Sequence, residues 1–356
     1  MITQPQVIKQ QVQDYQTILV RLPNWVGDIV MATPSLRNLK EAYPDHQFIA
    51  TGRPYSPDIV GANGIFDQFI PKPPKGSGPG AYIAYIKTLR TYENSAGILY
   101  TNSFSSALDL YLAGVRLRLG YQNEMRSFFL THSIPLEEGL AMDEKYNNLT
   151  STFGAFTDHK DLELGLDEKS LKIYQSILKK YSIQEEEILI GLNPGAGFGE
   201  TKKWINDYFI TLGKEMRRSF GPLRFLVFGG PGDEHRADQI CEGLGKDALN
   251  LSKESLGLHN IKPFFSRMDL FITNDSGLRW YALAMKKPTI VLFGSTDPNL
   301  TRCFVDNTYP IQKKVYCSPC KYRVCPVGFE CMRELTPEMV FDLVEKLRRE
   351  KVWGKP

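Results

Sequence analysis

Short apolar runs of strand length alternate with stretches of helical periodicity through most of the chain, the pattern of parallel sheets with crossover helices. In the first half, strands are predicted at Thr17–Leu22, Gln47–Thr51, Phe66–Ile70, Gly97–Tyr100 and Arg118–Gly120, with helices at 33–43, 81–92 and 104–113. Thr33 before Pro34 reads as a helix cap followed by a first helical residue, because proline needs no donor there and its φ is already helical. One position interrupts the pattern. Asp28, directly after Gly27, sits among Trp25, Val26, Ile29, Val30 and Met31, where an ionised carboxylate is costly unless something compensates it. It falls in a strand-to-helix connection that has room for a short helical turn of its own.

A second series begins after a charged helix at 167–182 and the acidic run Glu185-Glu186-Glu187, with strands at Ile188–Leu192, Arg224–Phe228, Leu270–Thr273 and Thr289–Phe293. The first three end in loops rich in small or polar residues: NPGAGFGETKKW, GGPGDEHRAD and NDSGLRW. Ligands in open α/β sheets bind outside the carboxyl ends of the strands, so these loops predict a nucleotide or phosphate site. The expected organisation is an α/β protein with two Rossmann-like domains: 1–166, a linker at 167–187, a second domain at 188–335 and a final helix within 336–356.

Length agrees with two domains, since 356 residues exceed the size at which one hydrophobic core stops growing. With 42% hydrophobic and 23% charged residues and a net charge of +3, the composition is that of an ordinary soluble protein and does not suggest a nucleic-acid partner. No run approaches the roughly 18 apolar residues of a membrane span, and the first 16 residues are too polar for a signal peptide. The expected location is the cytoplasm. Basic clusters at Lys214, Arg217 and Arg218, and at Lys346, Arg348, Arg349 and Lys351, either touch an anionic membrane surface or are solvated helix faces.

Several stretches carry candidate chemistry. In NPGAGFGETKKW, Gly195, Gly197 and Gly199 let the main chain approach a phosphate closely, and Lys202 and Lys203 follow. The loop is neither a P-loop nor G-x-G-x-x-G, and a plain turn explains it as well as a phosphate cradle. NDSG places Asp275, Ser276 and Gly277 at a helix start, where a capping role is the simpler reading. Glu234 is a candidate acceptor for ribose hydroxyls or an exposed helix-start acid. Cys317, Cys320, Cys325 and Cys331 follow the spacing C-x2-C-x4-C-x5-C. That spacing suits a small structural metal site, free thiols, or a disulfide formed on isolation. Cys241 and Cys303 read as buried small residues, and the five histidines form no catalytic pattern. A dehydrogenase is disfavoured because the dinucleotide fingerprint is missing after the first strand.

Taken together, RLPNWVGDIVMATPSLRNLK, YTNSFSSALDLYLAGVRLRLGY with NEMR, NPGAGFGETKKW, NDSG followed by LFGSTDP, and the Cys-rich stretch before LTPEMV resemble the ADP-heptose:lipopolysaccharide heptosyltransferases of glycosyltransferase family nine, particularly its heptosyltransferase II branch. The resemblance runs along nearly the whole chain. It implies a GT-B architecture, with the acceptor held mainly by the first domain and ADP-heptose by the second. It also implies an inverting, metal-independent transfer of heptose to the inner core of lipopolysaccharide, on a Kdo- or heptosyl-Kdo-lipid A acceptor at the cytoplasmic face of the inner membrane, with no required cofactor. Asp28 matches the family's general base, although a helix-end carboxylate would explain its charge without catalysis. Lys202 matches a donor-phosphate lysine and Asp275 an acid at the donor sugar. Asn193, Gly195, Gly197, Lys203, Glu234, Ser276 and Gly277 complete the donor side. Gly27, Asn102 and Ser103 fall on the acceptor side. The departures are Leu278, Arg279 and Trp280, where relatives usually continue NDSG with Met or Pro-Met and then His. They leave open a different donor sugar or acceptor, or a nucleotide-sugar-binding protein without turnover.

Overall fold

The structure is a computed structural model that describes residues 5–137, 139–156, 159–301 and 306–354. Cys303 lies outside the described residues. The chain divides between Gly165 and Leu166 into two compact units.

The first unit is built on a parallel sheet of β1 (Thr17–Arg21), β2 (Gln47–Gly52), β3 (Gln68–Pro71), β4 (Ser95–Leu99), β5 (Leu117–Tyr121) and β6 (His132–Ile134), in the order β3-β2-β1-β4-β5-β6. β1 and β4 run at the centre, and Ile18, Leu19, Val20, Ala96, Ile98 and Leu99 are fully buried, as strands covered on both faces require. From β1 the chain winds outward through β2 and β3, then returns to β4 on β1's other side. The β1/β4 pair is therefore a topological switch point, where loops diverge and leave a crevice. Arg21 pairs with Leu99 in register, so the loops that follow these two strands emerge side by side.

The helix at Val26–Met31 runs directly into the helix at Thr33–Ala42. Contrary to the expected cap, Thr33 is already inside the second helix and Ala32 occupies the cap position. The Thr33 hydroxyl instead donates to the Val30 carbonyl at 2.7 Å and accepts from the Glu163 backbone N–H at 2.9 Å.

The second unit repeats the topology with β7 (Leu189–Asn193), β8 (Arg224–Val227), β9 (Ala248–Asn250), β10 (Leu270–Asn274), β11 (Thr289–Phe293) and β12 (Thr308–Gln312), all parallel, in the order β12-β11-β10-β7-β8-β9. Its switch point is the β7/β10 pair. Neither the expected linker nor the final helix is a separate piece. The helix at Glu168–Lys180 is capped by Asp167, which accepts from the Ser170 N–H at 2.8 Å, and packs Tyr174 edge-on against Phe264. Val340, Val344 and Leu347 of the helix at Pro337–Arg349 belong to the same core cluster as Trp204, Met216 and Leu223.

Candidate active site

In the first unit, Asp28 is the third residue of the Val26–Met31 helix, half-buried, with Gly27 buried beside it. Trp25, which makes no side-chain cap, holds the capping position. The turn leading into that helix is held by Arg21, which sequence reasoning missed. Its guanidinium is 3% exposed and donates to the Leu22 carbonyl at 2.5 Å and to Asn24 Oδ1 at 2.9 Å. Burial lowers the Arg21 pKa, while the nearby Tyr85 and Asp109 oppose that shift. Tyr55 donates to the Asn24 carbonyl. Burial raises the pKa of the Tyr55 hydroxyl, Arg53 opposes the rise, and the charge of Asp28 adds to it, which places the carboxylate near that phenol.

Asn102 and Ser103 lie in the loop after β4, across the switch point from the Asp28 turn. The Tyr100 N–H donates to the Arg21 carbonyl at 3.0 Å, tying the two connections together. Arg126 and Asn123 fix the loop's conformation. Arg126 Nη1 donates to the Thr101 carbonyl at 2.6 Å and to Asn102 Oδ1 at 3.4 Å, and Asn123 Nδ2 donates to the Asn102 carbonyl at 3.1 Å. Arg126 is completely buried, its pKa pushed down by burial to about 10. The signal available in sequence was its place in NEMR beside YTNSFSS. Ser103 is exposed and holds the N-cap position of the Phe104–Leu112 helix without a side-chain capping hydrogen bond.

In the second unit the loops after β7, β10 and β11 converge. Asn193, 2% exposed, donates through Nδ2 to Thr273 Oγ1 at 2.9 Å and Ser276 Oγ at 2.7 Å. Lys202 Nζ lies 2.5 Å from Asp275 Oδ2, which also accepts from Thr296 Oγ1 at 2.8 Å. Arg279 Nη1 lies 2.9 Å from Asp275 Oδ1. Burial by itself raises the pKa of Asp275, but Arg279 and Lys202 outweigh it and hold the carboxyl below the usual range. Two cations on one buried carboxylate leave this pocket with a net positive charge, an environment suited to a phosphate dianion. The glycine before the lysines has a steric reason: a Cβ on Gly195 would lie 2.5 Å from Asp233 Oδ2.

Lys203, the second lysine of the loop, is ion-paired. It pairs with Asp233 Oδ1 and Glu200 Oε1, both at 2.7 Å. Burial alone would lower its pKa, and these two partners raise it instead. Glu234 is exposed and accepts from the Gly232 N–H at 2.8 Å, while its neighbour Asp233 is buried. Gly197 has open space around its Cα, and Gly277 and Ser276 lie in the connection after β10.

The four clustered cysteines lie in the connection after β12 and on the short helix at Glu330–Arg333. Cys317, Cys320, Cys325 and Cys331 are free thiols, and no group of three or more His, Cys, Asp or Glu among the described residues is arranged to hold an ion. Cys325 Sγ accepts from the backbone N–H groups of Gly328 and Phe329 at 3.4 and 3.1 Å, and Cys331 packs in the core against Gly294. The basic clusters are also engaged locally: Arg218 pairs with Glu215, Arg217 with Asp247 and Arg349 with Glu345. No helix among the described residues is long and apolar enough to cross a membrane.

The chain is similar to known proteins along most of its length. The chain is 26% identical over 347 residues to lipooligosaccharide heptosyltransferase 2 of Campylobacter jejuni, covering 93% of this chain and 98% of that protein. It is 28% identical over 297 residues to lipopolysaccharide heptosyltransferase 2 of Salmonella typhimurium, covering 80% of this chain and 84% of that protein. Its fold matches the structure of Escherichia coli ADP-heptose lipopolysaccharide heptosyltransferase II with a TM-score of 0.76 at 23% identity, over 94% of this chain and 99% of that one. Both units are thus Rossmann-like domains of the GT-B class. The model of glycosyltransferase family 9 (heptosyltransferase) matches residues 82–329, and the chain belongs to that family.

Proposed function

We propose that this glycosyltransferase moves heptose from ADP-L-glycero-β-D-manno-heptose to the inner core of lipopolysaccharide, on a Kdo- or heptosyl-Kdo-lipid A acceptor presented at the cytoplasmic face of the inner membrane. The observation that carries the donor half is the pair of cations on buried Asp275 at the β7/β10 switch point. Lys202 is the cation that moves to the ADP phosphates and stabilises charge as they leave.

Asp28 supplies the other half. Its carboxylate takes the proton from the acceptor hydroxyl as that oxygen attacks the anomeric carbon. The new C–O bond forms on the face opposite the diphosphate, the anomeric C–O bond to the β-phosphate breaks, and ADP departs with the bonding electrons. Attack from the opposite face inverts the anomeric centre. Arg21 and Tyr55 hold the turn that carries Asp28, and Arg126 with Asn123 holds the acceptor-side loop at Asn102.

One observation favours a second reading, a related transferase with another donor sugar. Arg279 and Thr296 already occupy the Asp275 carboxylate, which leaves it less able to accept from sugar hydroxyls. Incubating the purified chain with a panel of nucleotide sugars and defined core acceptors, read by product mass, tests both. A heptosylated product from ADP-heptose supports the first reading. Transfer from another nucleotide sugar alone replaces it with the second, and no transfer from any donor overturns both.

A further inference from the structure

The Asp275 site raises a problem that Lys202 cannot solve alone. Asp275 is 6% exposed, and its Oδ2 holds Lys202 Nζ at 2.5 Å. For Lys202 to turn its charge to a diphosphate it loosens or gives up its bond to that carboxylate, and weakening a buried ion pair on one side disfavours the carboxylate left behind unless another cation holds it. The loop therefore needs a second cation that stays.

We propose that Arg279 is a positioning residue that keeps Asp275 paired and so frees Lys202 for the donor diphosphate. This rests on the reading that the site binds a nucleoside diphosphate. Arg279 is four residues after Asp275, is 3% exposed, and reaches the other carboxylate oxygen, Oδ1, at 2.9 Å. Its guanidinium lies 4.5 Å from the Trp280 ring centroid and 5.5 Å from that of Phe293. Stacked cations of this kind are held in place by the aromatic faces and lose little by remaining desolvated. Thr296 Oγ1 donates to the oxygen that Lys202 would vacate. When Lys202 departs, Asp275 keeps one charged donor and one hydroxyl donor, one on each oxygen. Trp280 takes part as the plate on which the guanidinium rests, which gives Arg279 and Trp280 one physical role.

A double-mutant cycle on the full chain tests this, with ADP as the probe in calorimetric titration. Arg279→Met is expected to weaken ADP binding roughly tenfold, because Lys202 stays committed to Asp275. In an Asp275→Asn background the same substitution is expected to change the dissociation constant less than about twofold, since no carboxylate is left to hold Lys202. Arg279→Lys, which retains a cation, should recover most of the affinity. Equal losses in both backgrounds would mean that Arg279 touches the phosphates directly and would overturn the proposal, as would unchanged binding by Arg279→Met in the otherwise intact chain. Should Arg279→Met fail to fold, Arg279→Gln completes the same cycle. Failure of the intact chain to bind ADP would instead remove the donor-site reading, and the proposal with it.

Discussion

The backbone N–H of Trp204 donates to Oδ1 of Asn274 at 3.0 Å, and the same amide's Nδ2 donates to the Pro194 carbonyl at 2.7 Å. One fully buried side chain at the end of β10 thus fixes both ends of the loop at 194–204. The backbone of that loop is set before any ligand arrives, which lowers the ordering cost of binding.

Asn274→Ala should therefore damage stability and binding together. It leaves a buried donor at Trp204 and a buried acceptor at Pro194 without their partner, at a cost of about 1–3 kcal/mol for each such group. A melt followed in the presence and absence of ADP should show a lower Tm for the substituted chain and a smaller ADP-dependent rise.

Lys202→Ala removes the cation assigned to the leaving group. The expected result is a fall in kcat of about 10²–10³-fold, in the range of a lost transition-state donor. Lys203→Ala is expected to lower the Tm more than kcat, because its ammonium is already shared by Asp233 and Glu200. Steady-state kinetics and melts on the two variants separate these roles.

Arg126→Met probes the acceptor loop. The guanidinium is fully buried, and burial depresses its pKa to about 10, so its charged form opposes folding at neutral pH. Losing that penalty offsets the lost bonds to Thr101 and Asn102, and the net stability change should be within about 1 kcal/mol. Acceptor KM should nonetheless rise, since the loop at Asn102 loses its brace. Kinetics with acceptor varied at saturating donor would show this.

The pH dependence of the second unit has a defined sign at Asp167. Its hydrogen bond from the Ser170 backbone N–H, helped by the Ser170 hydroxyl and by His259, lowers its pKa to about 2. A carboxylate with a depressed native pKa contributes stability that is present above its unfolded value, near 3.9, and lost as pH falls through the native value. Asp167→Ala should cost roughly 1 kcal/mol near neutral pH, as lost helix caps do. The gap between the two chains should close as pH drops from about 4 toward 2, measured by thermal melts across that range.

The sequence revealed the centres of both sheets and, of the four edge strands, only β3. β1, β4, β7, β10 and β11 are buried on both faces and read as continuous apolar runs. The three unforeseen strands, β6, β9 and β12, are all at sheet edges, where half-exposed residues such as those of Thr308–Gln312 give no clear run. The helix at Pro5–Gln13 was also missed, because its polar composition hides Ile8 and Val12, both fully buried and four residues apart. At the site, Asp28, Lys202 and Asp275 were legible as charges at strand-to-helix junctions. Arg126 and Thr296 were not, because each acts through contacts made only once separate strand ends lie side by side, and Arg21 was not, because it reads as the polar end of an apolar strand and its bonds to Leu22 and Asn24 appear only when the turn is formed.

The central claim is that Asp28 is the base that activates the acceptor. The most direct test is single-turnover transfer by Asp28→Asn with ADP-heptose and a defined core acceptor, with ADP affinity measured on the same preparation. The expected result is a rate reduced about 10²–10⁴-fold with the ADP dissociation constant unchanged within about twofold, since the substitution keeps the shape and removes only the proton acceptor. Transfer by Asp28→Asn at the unmodified rate would contradict it.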